Sequence, residues 1–236
     1  MQRRLLSLLL LATMPVNSAI NVAVASNFKQ TLSEIALLYQ AQTGQAILIS
    51  SASTGTLYNQ IKHGAPFDLF LSADSERAKL IEASAQGVAG SRFTYATGRL
   101  AFWLRSGADV NEQTLLEYEG RLAIANPQLA PYGLAAKQTL VTLHLWEKFS
   151  YIRGANISQT YQFIDSGNIE AGFVAYALLL QNGQTHYYLI PDSWHAPIEQ
   201  QGVLLENSTQ KIKVQRFIDY LKSEPVQQLI RNKGYL

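Results

Sequence analysis

An α/β fold with a mainly parallel sheet is what this sequence predicts, and three observations carry that reading. Short apolar runs alternate with segments of helical spacing almost from residue 20 onward. Such alternation joins strand to strand through crossover connections, which makes the sheet mainly parallel. No internal repeat, low-complexity tract or Pro/Ser-rich linker interrupts the pattern.

The elements follow in order. Ile20 to Ala25 is an apolar strand, and Phe28, Leu32, Ile35 and Tyr39 recur at helical spacing until Thr43-Gly44 stops the helix. Ala46 to Ile49 is the next strand, Leu57 to Lys62 a short helix and Phe67 to Leu71 a further strand, with Asp68 inside it and Asp74 at a helix cap. Leu100 to Leu104 and Leu122 to Ala125 read as strands and Leu134 to Leu145 as a helix. Gly172 to Val174 is a buried strand before an apolar helix at Tyr176 to Leu180, and Tyr187 to Ile190 is a further strand. Two helices close the chain, the first marked by Ile212, Phe217, Ile218 and Leu221, the second opening at Pro225, where proline suits a helix start.

The first nineteen residues stand apart. Arg3 and Arg4 precede an apolar stretch, Leu5 to Thr13, and Asn17-Ser18-Ala19 is a small-residue exit, the layout of a secretory signal peptide cleaved after Ala19. The stretch is about half the roughly 20 residues a spanning helix requires. Export to the periplasm is therefore expected. The chain of 236 residues carries 19 Lys+Arg against 17 Asp+Glu, and loss of the signal removes two arginines and no acid, leaving the signs equal. A neutral chain argues against nucleic acid or a membrane surface as partner, since both select for a positive field. There is no cysteine, which excludes disulfides, thiolate metal sites and a lipid anchor on an N-terminal cysteine.

Ligands of open α/β sheets bind outside the carboxyl ends of strands. Four segments occupy such positions: Ala25-Ser26-Asn27-Phe28, Ser51 to Thr56, Asn126-Pro127 through Gly133-Leu134, and Asn156-Ile157-Ser158. Ser, Thr and Asn there also serve as plain helix caps. The cluster Ser53-Thr54-Gly55 goes further, offering hydroxyls and unencumbered N–H groups at one helix start, where the dipole favours an anion without cationic side chains. Lys29 and Arg153 fall outside these motifs and read as solvated charges, and the four histidines lack the close pairing of a zinc site. No Gly-x-Ser-x-Gly elbow occurs, so the commonest exported serine-hydrolase signature is missing.

The motifs Val22-Ala-Val-Ala-Ser-Asn-Phe28, Ser51-Ala-Ser-Thr-Gly-Thr56, Gly64-Ala-Pro-Phe-Asp-Leu-Phe-Leu-Ser-Ala-Asp74, Leu122-Ala-Ile-Ala-Asn-Pro127, Ala130-Pro-Tyr-Gly133 and Ala171-Gly-Phe-Val174 together resemble the periplasmic molybdate-binding proteins of ABC importers. The resemblance runs over essentially all of the chain after residue 19. It implies a type II periplasmic-binding-protein fold: two lobes, each with a mainly parallel sheet flanked by helices, and the ligand in the cleft between them. The implied lobes are residues 20–98 with 190–236, and 99–189 as an insertion, joined by crossings near Gly98 to Leu104 and Tyr187 to Asp192. It implies molybdate, and tungstate alongside, as cargo held by neutral hydrogen bonds, with a membrane permease as partner, a monomeric binder, no cofactor and no catalysis. Carried over by position, Ser26 and Asn27 follow the first strand, Ser53 or Thr54 supplies the second-loop hydroxyl, and Tyr132 and Ile157 contribute backbone N–H groups. Where some members place a tyrosine hydroxyl this chain has Ala175, and Asn27 is the expected replacement donor.

The alternatives in the same fold are a binder of sulfate, phosphate or ferric iron. Adjacent tyrosines such as Tyr187-Tyr188 are iron ligands in one such group, but neighbours on a strand face opposite sides. An exported serine hydrolase would need a base in reach of Ser26 or Ser53, and no histidine lies near either in sequence.

Overall fold

The computed structural model describes residues 18–107 and 109–236, so most of the expected signal peptide lies outside the described residues. In chain order the elements are β1 (Ile20–Ala25), α1 (Lys29–Thr43), β2 (Ile47–Ala52), α2 (Thr54–Lys62), β3 (Leu69–Ser72), α3 (Ser75–Glu82), β4 (Phe93–Gly98), β5 (Leu100–Leu104), α4 (Glu112–Glu117), β6 (Leu122–Ala125), α5 (Pro131–Thr142), β7 (Tyr151–Gly154), α6 (Ile157–Asp165), β8 (Ala171–Ala175), α7 (Tyr176–Gln181), β9 (Tyr187–Leu189), β10 (Ile198–Leu204), α8 (Lys211–Leu221) and α9 (Glu224–Asn232). Asp68 sits one residue ahead of β3 rather than inside it, and its buried carboxylate accepts from the Asn21 N–H and from Ser208 and Gln210.

Two sheets result, ordered β2-β1-β3-β10-β4 and β7-β6-β8-β5-β9. Each has two parallel pairings followed by two antiparallel ones, so four of its five strands run one way and one runs against them. The reversed strands are β10 and β5, and both follow a crossing between sheets. The chain leaves the first sheet at Gly98 and enters the second at Leu100; it returns between Leu189 and Ile198. A strand that arrives through the cleft must run away from it, whereas those reached through a helix run toward it. The carboxyl ends of the parallel strands in both sheets therefore face the same cleft.

The first sheet is buried on both faces, with alternate residues serving opposite cores. Val22, Val24, Leu69 and Leu71 pack with α1, α8 and α9, while Ala23, Phe70 and Val203 pack with Leu57, Ile61 and Ile81 of α2 and α3. A separate core fills the second lobe around Phe102, Trp103, Ile124, Phe173 and Leu179, with Trp103 stacked on Tyr161. Helix α1 shows how the sequence achieves this. Leu32, Ile35, Ala36 and Tyr39 form its buried stripe, and Gly44, at φ 73°, closes it by donating to the Gln40 carbonyl.

Candidate functional site

Of the helical turns that begin where parallel strands end, four bear on one site, two from each lobe. A 3-10 turn, Ser26–Phe28, follows β1; α2 follows β2; α5 follows β6 after a short loop; α6 follows β7. The first N–H groups of a helix have no acceptor within it. Local capping here leaves them so. Ala25 and Ala130, which precede the 3-10 turn and α5, provide no side-chain cap. Ser53 and Asn156 do cap α2 and α6, but their oxygens accept from Thr56 and Gln159, two residues beyond the leading N–H. Each start also carries about half a positive charge from the aligned peptide dipoles.

The four starts meet at one small cavity, lined by Ala25, Ser26, Asn27, Ser53, Thr54, Ala73, Ala130, Pro131, Tyr132 and Ile157. All six residues nominated from the sequence stand on this wall. None of the ten lining residues is charged, and Lys29 and Arg153 are exposed to solvent. A wider, open-sided depression at Ser18, Ser208 and the start of α8 lies beside the amino end of β1, away from the strand carboxyl ends.

The Thr54 hydroxyl is arranged as a donor. Thr54 Oγ1 accepts from the Ala73 N–H at 3.0 Å, which turns its proton outward. Ser53 Oγ accepts from Thr56 N–H at 3.3 Å and lies 2.7 Å from the Thr56 hydroxyl. Asn27 differs from expectation. Its side-chain amide nitrogen donates to Gln200 Oε1 at 2.9 Å and to the Tyr235 hydroxyl at 3.4 Å, so the group expected to replace the missing tyrosine is engaged elsewhere. Ala175 is buried at the end of β8, and the next ring, Tyr176, packs against the Arg99 guanidinium and Tyr187, away from the cavity. Tyr188 on the opposite side of β9 reaches Glu112.

Backbone contacts across the cleft hold the lobes together. Gly55 N–H donates to the Leu129 carbonyl at 2.8 Å, and a Cβ at residue 55 would stand 3.0 Å from Leu129 backbone atoms. Beside it, Arg77, paired with Asp74, donates to the Gln128 carbonyl at 2.8 Å. Ser158 Oγ donates to the Ser26 carbonyl at 3.1 Å, and its N–H approaches Ser26 Oγ at 3.4 Å. Beneath the cavity lies a buried polar cluster, Asn27, Tyr95, Tyr132, Gln200 and Tyr235. Burial raises the pKa of the Tyr95 and Tyr132 phenols well above the usual tyrosine value, and that of Tyr235 as well, so all three stay neutral. Asn27 and Tyr132 are expected from the sequence, and Gly55, Asp74 and Ser158 lie in its motifs, but Arg77, Gln128, Leu129, Tyr95, Gln200 and Tyr235 carry no such signal beyond a glutamine in a strand-like run.

Comparisons with known proteins agree with this architecture. Residues 20–236 match the family described as bacterial extracellular solute-binding protein. The molybdate-binding protein ModA of Azotobacter vinelandii is 37% identical over 96% of this chain and 93% of its own length. ModA of Rhodobacter capsulatus is 36% identical over 91% of this chain and 86% of its own. Among solved structures, the Azotobacter vinelandii periplasmic molybdate-binding protein superposes with a TM-score of 0.87 at 34% identity, covering 92% of this chain and 98% of that one. These relatives are solute-binding proteins rather than enzymes.

Proposed function

This chain belongs to the ModA family of periplasmic molybdate-binding proteins, and from that premise we propose that it captures molybdate, and tungstate with it, for delivery to an ABC permease. The observation that carries the reading is the convergence of four helix starts, two from each lobe, on one small cavity without a charged wall. An oxyanion buried there is costly unless its oxygens are all hydrogen-bonded, and helix starts hold such ions with neutral donors. In this reading Ser26, Thr54 and Ser53 donate through hydroxyls, while Tyr132, Ile157 and Asn27 donate through the main chain. The carboxamide of Asn27, already spent on Gln200, is withdrawn as the replacement for the missing tyrosine.

Capture works by closure. Residues 20–98 with 190–236 form one lobe, 99–189 the other, and the two crossings act as hinges. Donors from both lobes reach the ion together only when the cleft is shut, so the ion binds the closed form better and shifts the population toward it. The Gly55–Leu129 and Arg77–Gln128 contacts belong to that form. The mature monomer begins near residue 20 after export to the periplasm. A phosphate that retains a proton would call for a buried acceptor, and the wall has no carboxylate; sulfate, a smaller ion than molybdate, would leave donors of one lobe out of reach.

Calorimetric titration of the ligand-stripped mature protein tests this. One-to-one molybdate binding that excess sulfate fails to displace is expected. Heat with sulfate or phosphate and none with molybdate would keep the fold and discard the cargo.

A further inference from the structure

Gln200 lies behind the cavity wall and belongs to none of the four helix starts. It is fully buried on β10, where the pairing with β4 shifts register between Gln200 and Gln201; bulges of this kind re-aim a side chain. Its Oε1 accepts from Asn27 Nδ2 at 2.9 Å and lies 3.1 Å from the Tyr95 hydroxyl, which shares its single proton with the Ser72 carbonyl. Its Nε2 donates to the Tyr132 hydroxyl at 3.2 Å. Asn27 is anchored from the other side by Tyr235, whose hydroxyl donates to the Asn27 carbonyl at 2.8 Å. Room for the junction comes from Gly98, the last residue of β4. A Cβ there would come within 2.1 Å of the Tyr132 hydroxyl oxygen and 2.8 Å of Gln200 Nε2.

We propose that Gln200 is a positioning residue for anion capture, its amide fixing Asn27 of the first lobe and Tyr132 of the second in the relative placement the bound ion requires. The inference rests on the anion-capture reading above. The chemistry of the junction selects an amide. One end must accept from Asn27 while the other donates to Tyr132, and the group must stay uncharged because an anion sits on the far side of both partners. A carboxylate accepts at both ends and adds a negative charge; a protonated carboxyl, with one C=O and one O–H, reproduces the amide's pattern. The titratable groups around Gln200 are the phenols of Tyr95, Tyr132 and Tyr235. Asp74, the charge that acts on Tyr95, is paired with Arg77, and the neighbouring Glu199 is bonded to Thr94 and Gln201.

The test is Gln200→Glu, titrated with molybdate from pH 6 to pH 8.5 beside wild type. Burial without a cation raises the pKa of the new carboxyl. At pH 6 its neutral form should bind within about threefold of wild type, and above its pKa affinity should fall about tenfold per pH unit as one proton becomes linked to binding. Wild type should stay flat. Tyr132→Phe keeps the main-chain donor and removes only the acceptor for Gln200 Nε2; it should weaken binding about three- to tenfold, and it serves if Gln200→Glu fails to fold. A Gln200→Glu protein that matches wild type at every pH, or Tyr132→Phe with unchanged affinity, overturns the inference alone. Wild type that binds no molybdate overturns the capture reading, and the inference with it.

Discussion

In the first lobe the cavity wall carries hydroxyls, those of Ser26, Ser53 and Thr54, whereas the second lobe meets the same space with Tyr132 and Ile157. Neither of the latter offers its side chain. The Tyr132 phenol runs back to Gln200, and both residues pack into the second lobe's core. What the second lobe presents is the start of two helices, and thus main-chain N–H groups whose direction is set by where α5 and α6 sit on β6 and β7. One half of the site is therefore open to side-chain substitution, while the other is reached only by moving backbone.

The comparison breaks hardest at Gly133. A Cβ there would stand 2.1 Å from the Ala125 carbonyl oxygen, so α5 packs against the end of β6 only with glycine at that position. Gly133→Ala should displace the first turn of α5 and weaken molybdate binding by about 100-fold or more, as expected when a buried charge loses its donors; titration with circular dichroism as a fold control checks it. Ser26→Ala and Thr54→Val each remove one hydroxyl and should cost about 10- to 100-fold, the range of a hydrogen bond to a charged group, about 1.5–3 kcal/mol, while Thr54→Ser should restore most of the loss. Gly55→Ala touches no proposed ion contact but crowds the Leu129 backbone. It should lower affinity about tenfold through a faster off-rate, measured by stopped-flow fluorescence. Ile157→Val keeps the N–H and should change affinity by less than about threefold, with a stability loss of about 0.5–1.5 kcal/mol.

The same contrast governs pH. The titratable group on the wall is Tyr132, and burial holds its phenol protonated. Affinity should be flat from pH 6 to 9. Stability contributed by the buried Tyr95, Tyr132 and Tyr235 is present below pH 10, where unfolded tyrosine ionises, and is lost as pH rises beyond it. Thermal melts through that range should fall steeply.

How far the sequence speaks follows the division between side chain and backbone. β1, β5 and β6 begin and end where their apolar runs do. α2 and α5 each start three residues before the expected Leu57 and Leu134. Their first turns, Thr54-Gly-Thr56 and Pro131-Tyr-Gly133, face the cavity or the strand end and so lack the apolar period that marks a helix; Pro131 at the first helical position was the available clue. β2 extends to Ala52 for a related reason, since the hydroxyl-rich Ser51 belongs to the strand rather than the turn. β4, β7 and β10 escaped notice. Arg153 breaks the apolar run of β7, and β10 carries buried glutamines that serve the polar cluster instead of the core. The hydroxyls of the first lobe could be nominated by residue type, while Tyr132 and Ile157 came from family resemblance alone.

Amide spectroscopy of isotope-labelled protein, with and without molybdate, addresses the central claim most directly. If the second lobe holds the ion by its main chain, the Tyr132 and Ile157 N–H resonances shift on binding and their solvent exchange slows together with that of Thr54. Tight molybdate binding that leaves Tyr132 and Ile157 unshifted and exchanging as before would contradict the account.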